Sequence, residues 1–290
     1  MIRRSLPLLA LLVVASVARG AEPTTKPVRV FTAGHSFHMP IVDPLAEVSK
    51  AAGLDHRVAG RQSIGGSTVT QHWDLPDERN KAKPALAAGE VDVLTLSPHL
   101  LVPDPAIDKF TDLLLEHNPA ARVTVQVSWI PRDARLLDKS FKQADRDTAD
   151  LGEIRTATEV YASKMREQVA ATNARYAERL KRPVVFVVPV GQAVTLLRER
   201  VAKGEVPGVA KQSDLFRDEL GHGKEAVYLL NAYCHFAVIH GRTPVGLPMP
   251  AAFKRAGLGE NAEKVNRLLQ EIAWQAVTAE PMSGVKAEAK

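Results

Sequence analysis

The sequence predicts an α/β fold, a three-layer α/β/α sandwich around a mainly parallel sheet of about five strands. Three observations carry this expectation. Short β-rich runs alternate with longer segments of helical periodicity. Several of those runs are apolar on both faces, as strands covered by helices on both sides must be. No linker, internal repeat or low-complexity stretch divides the chain, so one domain is the simplest reading. The 290 residues, 45% hydrophobic and 24% charged, can bury a sizeable core and do not have the composition of a disordered chain. Cys234 is the only cysteine, which excludes an internal disulfide framework.

The elements follow in order. Residues 28–33 read as a buried strand closed by Gly34. Residues 41–52 carry apolar positions at helical spacing and stop at Gly53. A short strand at 56–59 runs into a glycine-rich loop at 60–67, then a short helix at 83–88. A strand at 91–96 is apolar on both faces, and a helix at 105–117 ends at Asn118-Pro119. A strand at 122–129 precedes a long helix of alternating charge at 153–180, which its position suggests as a cover over the site. The last strand falls at 184–190, with helices at 194–203, 225–239 and 260–277. The domain is expected to span 28–280, after a loose arm at 21–27 and before a loose tail at 281–290.

Residues 1–20 read as a secretory signal. Arg3 and Arg4 precede an apolar run, and Ala18 and Gly20 supply the small residues of a cleavage site. The run is shorter than the roughly 20 residues a membrane span needs. The mature chain is therefore expected to be exported, periplasmic or secreted, with no membrane span after cleavage. Loss of Arg3, Arg4 and Arg19 lowers the formal charge of +5 by three, to +2. The remaining charges alternate in sign, so nucleic acid is not expected as a partner.

In open parallel sheets, ligands bind outside the carboxyl ends of the strands. That rule selects residues 34–39, the loop from 60, residues 97–101 and the region after 190. The first segment reads Gly34-His35-Ser36-Phe37-His38, with a serine just past a buried strand at the start of a helix. Such a serine either caps the helix or presents its hydroxyl in the crevice. Gly34 permits a turn that a side chain would block.

Strand-Gly-x-Ser-Phe resembles the first block of the SGNH/GDSL hydrolases, a flavodoxin-like α/β/α family, and implies that Ser36 is a nucleophile. In Gln62-Ser63-Ile64-Gly65-Gly66-Ser67, Gly65 matches the family glycine whose backbone N–H lines the oxyanion hole, with Gly66 beside it. The family's third block brings an asparagine, but Leu96-Ser97-Pro98-His99 has none, and Ser97 or His99 stands in its place. The fourth block is Asp-x-x-His; here Asp218 lies four residues before His222 and Glu219 lies three before. The resemblance implies His222 as base, with Asp218 favoured over Glu219 as its carboxylate.

The implied activity is an exported serine esterase acting through an acyl-enzyme on acyl or acetyl esters, including carbohydrate esters. The partner is then a small-molecule or carbohydrate ester, and no cofactor is needed. His35, Gly66, Trp73 and Trp129 are candidate substrate contacts, the tryptophans by stacking. The alternative is a non-catalytic binding protein of the same fold that has lost part of its oxyanion hole. A metal reading competes, because His35, His38, His72, His99 and His222 all fall in crevice segments and zinc accepts three histidines with a water. The order of the blocks needs no metal, so none is expected. The sequence does not set the oligomeric state.

Overall fold

A computed structural model describes residues 26–254 and 259–287. The expected leader at 1–20 and most of the arm at 21–27 lie outside the described residues. Five strands form one all-parallel sheet in the order β2-β1-β3-β4-β5: β1 (Val28–Gly34), β2 (His56–Ser63), β3 (Val93–Leu96), β4 (Arg122–Gln126) and β5 (Val185–Val188). The helices are α1 (Val42–Ala51), α2 (Val69–Trp73), α3 (Ala82–Ala87), α4 (Pro105–His117), α5 (Leu151–Leu180), α6 (Val190–Ala202), α7 (Glu225–His240), α8 (Ala251–Lys254) and α9 (Ala262–Ala279).

Side chains alternate across a strand, so the central strands β1 and β3 feed two cores. Val30 and Val93 join α1, α6, α7 and α9 on one face. Phe31, Leu94 and Leu96 join α2, α3, α4 and α5 on the other. This is the three-layer α/β/α architecture the sequence predicts. The chain steps from β1 outward to β2 and then back across to β3. The order therefore reverses between β1 and β3, and the crevice of such a sheet opens at that switch point.

Some boundaries differ from the sequence reading. β2 extends to Ser63 because the whole run from His56 pairs with β1, through a bulge between Val30 and Phe31. β4 ends at Gln126, so Trp129 lies beyond the strand. α2 is an unforeseen helix of five residues, too short for a periodic signal, capped by Thr68 and joined to α4 through Asp104. The buried Asp104 carboxylate accepts from Val69 N–H and Ala106 N–H, so it serves both helix starts.

Two expectations are corrected. The long helix α5 is not a cover: Tyr161, Met165, Val169 and Tyr176 pack it onto the sheet core, and the Tyr161 hydroxyl donates to Pro98 O at 2.8 Å. The tail is not loose from residue 281, because Val187 N–H donates to Met282 O at 2.9 Å and Ser283 and Val285 are buried. Arg166 holds Glu280 at 3.0 Å. Residues 280–285 thus cover the outer edge of β5, which would otherwise expose unpaired backbone groups. Among the described residues, no helix is long and apolar enough to cross a membrane.

Candidate active site

The site is built on the turn between β1 and α1. His38 N–H and Met39 N–H both donate to His35 O, which closes the turn around Ser36. Ser36 is half-exposed, while its neighbours His35, Phe37 and His38 are buried. Gly34 is needed for space rather than for the turn itself. A Cβ there would stand 2.3 Å from His38 Nδ1, so the His38 ring fits only over a glycine.

His222 arrives from a loop between Phe216 and Gly223, which face each other across an antiparallel bridge. Arg217 N–H donates to His222 O and Lys224 N–H to Leu215 O, each at 2.8 Å. His222 Nδ1 lies 2.7 Å from Asp218 Oδ2, and its Nε2 lies 2.8 Å from Ser36 Oγ. The carboxylate leaves the proton on Nδ1, so Nε2 accepts from the Ser36 hydroxyl. Asp218 Oδ1 also accepts from Gly221 N–H at 2.9 Å and His222 N–H at 3.1 Å. Burial pushes the Asp218 carboxyl up. The His222 ring and the two backbone N–H groups outweigh this and hold it below the usual carboxylate value. The four-residue spacing is absorbed by Gly221, whose φ of +101° suits glycine. Glu219 is exposed, and only its backbone carbonyl engages the loop's neighbours, through Arg146.

Three groups hold the His222 loop in place. Trp129 Nε1 donates to Gly221 O at 2.9 Å, and Arg132 N–H donates to Leu220 O at 3.1 Å. The buried Arg146 guanidinium donates to Asp218 O at 3.2 Å and Glu219 O at 2.8 Å. Arg146 and Arg198 both pair with buried Asp133. Trp129 also stacks on Phe37 at 4.5 Å and 8°, and the Phe37 ring meets the His222 ring edge-on at 5.2 Å. The sequence showed neither Arg146 nor Asp133 as part of this neighbourhood. Nothing in their spacing links them to residue 218.

The oxyanion candidates are available. Among the described residues, the backbone N–H groups of Ser36 and Gly65 donate to no protein acceptor. Gly65 and Gly66 are exposed, with Gly66 at φ +59°. Their loop rests on a buried strut: the Gln62 amide donates to His72 Nδ1, His72 Nε2–H to Ser67 Oγ at 2.8 Å, and Ser67 to Ile64 O. His99 N–H donates to Ser67 O at 3.3 Å, which ties the third segment to the second. Burial keeps the His99 ring below the ordinary histidine value, and the ring meets His35 edge-on at 5.4 Å. Ser97 is unavailable, because its hydroxyl is buried between His35 Nε2 at 3.0 Å and Ser128 Oγ at 3.3 Å.

Two expected substrate contacts, His35 and Trp129, are corrected. His35 is 1% exposed, and its Nδ1 accepts from Phe37 N–H while Nε2–H donates to Ser97. Trp129 is buried and engaged with Phe37 and Gly221. Trp73 is half-buried: it packs edge-on against Phe110 on α4, with the Lys83 ammonium 4.7 Å above its ring. His38 and His72 are buried as well. Among the described residues, no three His, Cys, Asp or Glu side chains are placed to share a metal ion.

Beneath the turn lies a buried polar layer. His38 Nε2–H donates to Thr95 Oγ1 at 3.0 Å, and Thr95 donates to His235 Nδ1 at 3.4 Å. His235 Nε2–H donates to Gln126 Oε1 at 2.9 Å. The Gln126 amide donates to Phe37 O at 3.2 Å, where Asn231 also donates at 2.9 Å. Burial brings His35 and His235 down to about 3, so these rings stay neutral. The layer pins the carbonyl of Phe37, the residue that follows Ser36.

No family model and no curated protein matches the chain. Among solved structures, a DUF4886 family protein from Bacteroides uniformis is similar over 87% of this chain and 95% of its own, at 15% identity and a TM-score of 0.52. That likeness establishes a shared fold. A suspected SGNH hydrolase from Slackia heliotrinireducens matches 72% of this chain and 97% of its own, at 17% identity and a TM-score of 0.42. A suspected GDSL-like lipase from Parabacteroides merdae matches 73% and 94%, at 11% and 0.43. These two scores are too low to add to the geometry.

Proposed function

We propose that the protein is a serine hydrolase that cleaves acyl or acetyl esters, carbohydrate esters included, through an acyl-enzyme on Ser36. The observation that carries this reading is the continuous contact from Asp218 through His222 to Ser36, at 2.7 and 2.8 Å. Ser36 Oγ attacks the ester carbonyl while His222 Nε2 takes its proton. The same proton passes to the leaving alcohol, and a water activated by His222 then hydrolyses the acyl-serine. Asp218 holds the tautomer and stabilises the imidazolium. The Ser36 and Gly65 N–H groups stabilise the oxyanion, with neutral His99 in the place of an asparagine. The leader supports export to the periplasm or medium.

The test is turnover of p-nitrophenyl acetate by the purified chain and its variants. Ser36→Ala and His222→Ala should each lose about 10⁴-fold or more in kcat. His99→Ala should lose about 10²- to 10³-fold, the usual effect of removing one oxyanion donor. Turnover that survives Ser36→Ala would refute the reading. The missing asparagine favours a second reading, a binding protein of this fold, and a well-folded chain with no turnover of any ester would support it.

A further inference from the structure

We propose that the turn from Arg135 to Asp138 docks the protein onto an anionic lipid surface, with Leu136 and Leu137 entering the acyl layer. Asp138 N–H donates to Arg135 O at 3.0 Å, so the two leucines occupy the centre of a four-residue turn. Turn centres ordinarily hold Gly, Pro, Asn, Asp or Ser. Here Leu137 is 95% exposed and Leu136 45%. Leu137 gains almost nothing from folding and Leu136 buries only part of its surface, and adjacent exposed leucines mark a surface that meets something apolar.

The turn is displayed by a fixed frame. Arg132 Nη1 donates to Asp138 O at 3.1 Å, and Arg135 N–H donates to Arg132 O at 2.9 Å. Asp138 Oδ1 accepts from Ser140 N–H at 2.8 Å. The Arg135 guanidinium lies 4.5 Å over the buried Phe141 ring, which anchors the base of the loop. Arg132, Asp133 and Ala134 are all left-handed, at φ +51°, +52° and +70°. Three successive non-glycine residues in that region form a strained segment, and such strain concentrates at functional loops.

Charge selects the partner. Lys139 and Lys142 are exposed and make no ion pair among the described residues, while Asp138 and Asp145 are both within reach of Arg135. A pair of apolar tips flanked by free ammonium groups suits acyl chains beneath anionic headgroups. The site lies next to this patch. Arg132 N–H donates to Leu220 O, and Leu220, between Asp218 and His222, is itself 38% exposed. Docking would set the Ser36 crevice near the lipid surface. The proposal does not require Ser36 to be reactive.

The experiment is co-sedimentation of the full chain with phosphatidylcholine vesicles, with and without 30 mole per cent phosphatidylglycerol. Binding should need the anionic lipid and weaken as salt rises. The double variant Leu136→Ser/Leu137→Ser should bind roughly a hundredfold more weakly, about tenfold per leucine, with unchanged circular dichroism and Tm. Lys139→Glu/Lys142→Glu should bind at least about thirtyfold more weakly at low salt. Ser36→Ala should bind like the parent chain, which separates this proposal from the catalytic one. No binding to the anionic vesicles, or equal binding by the leucine variant, would overturn the proposal. A concentration-dependent dimer lost in the leucine variant, without vesicle binding, would overturn it in favour of self-association.

Discussion

At the scale of single residues, the proposed reaction distinguishes side chains placed to take part in it from groups that only hold the loop. Asp218 reaches the His222 ring with its carboxylate, while Glu219 offers only a backbone oxygen to Arg146. Asp218→Asn should therefore lower kcat by about 10³- to 10⁴-fold, whereas Glu219→Gln should leave it within about twofold. Steady-state kinetics on the two variants decide between them. Gly34→Ala forces a Cβ to within 2.3 Å of His38 Nδ1 and should destabilise the fold by about 1–3 kcal/mol, read as a lowered Tm. Ser36 and His222 were legible in motifs of fixed order, and Asp218 was favoured over Glu219 although its spacing departs from the family's. The burial of His35 and Trp129, and the packing of Trp73 on Phe110, were not legible. Local sequence places a side chain on an element but does not say which long-range partner closes over it, and Phe37, Gly221 and Phe110 are such partners.

At the scale of elements, the loop from Phe216 to Gly223 depends on a buried ionic cluster that it does not contain. Asp133 lies between Arg146 and Arg198, with all three side chains at most 4% exposed. Asp133→Ala would leave two buried guanidinium groups facing each other and should cost about 3–5 kcal/mol. Arg146→Met keeps the Asp133–Arg198 pair, so its effect on stability should be smaller, about 1–3 kcal/mol. It also frees Asp218 O and Glu219 O, so kcat should fall with little change in KM. Denaturant melts paired with kinetics separate the two effects. Helix α4 was read to the residue, because Pro105 opens it and Asn118-Pro119 follows it. β2 and β4 were misjudged at their ends, because a strand stops where its neighbour stops, and that is set by pairing across the sheet. The ion cluster was invisible, since its members lie 13 and 65 residues apart.

At the scale of the whole molecule, the fold is packed around neutral histidines. Burial brings His35 and His235 to about 3, His56 and His72 to about 4, and His38 well below its ordinary value. Unfolded, each ring takes a proton near pH 6.5. Below that pH the unfolded chain binds more protons than the folded one. Stability should therefore fall from about pH 6.5 toward pH 4, by up to about 1.4 kcal/mol per pH unit for each such ring. Tm measured from pH 8 to pH 4 checks this, and a flat profile would contradict the buried layer. The layer order of the sandwich was legible from alternating strands and helices, and the packing of residues 280–285 on β5 was not, because the tail carries no periodic signal. If Asp218 and His222 activate Ser36 in the intact fold, mass spectrometry of the whole chain after exposure to a fluorophosphonate reads it directly. One adduct is expected, mapped to Ser36 and absent in both Ser36→Ala and His222→Ala. A folded chain that takes up no adduct, or one that labels elsewhere, would contradict it.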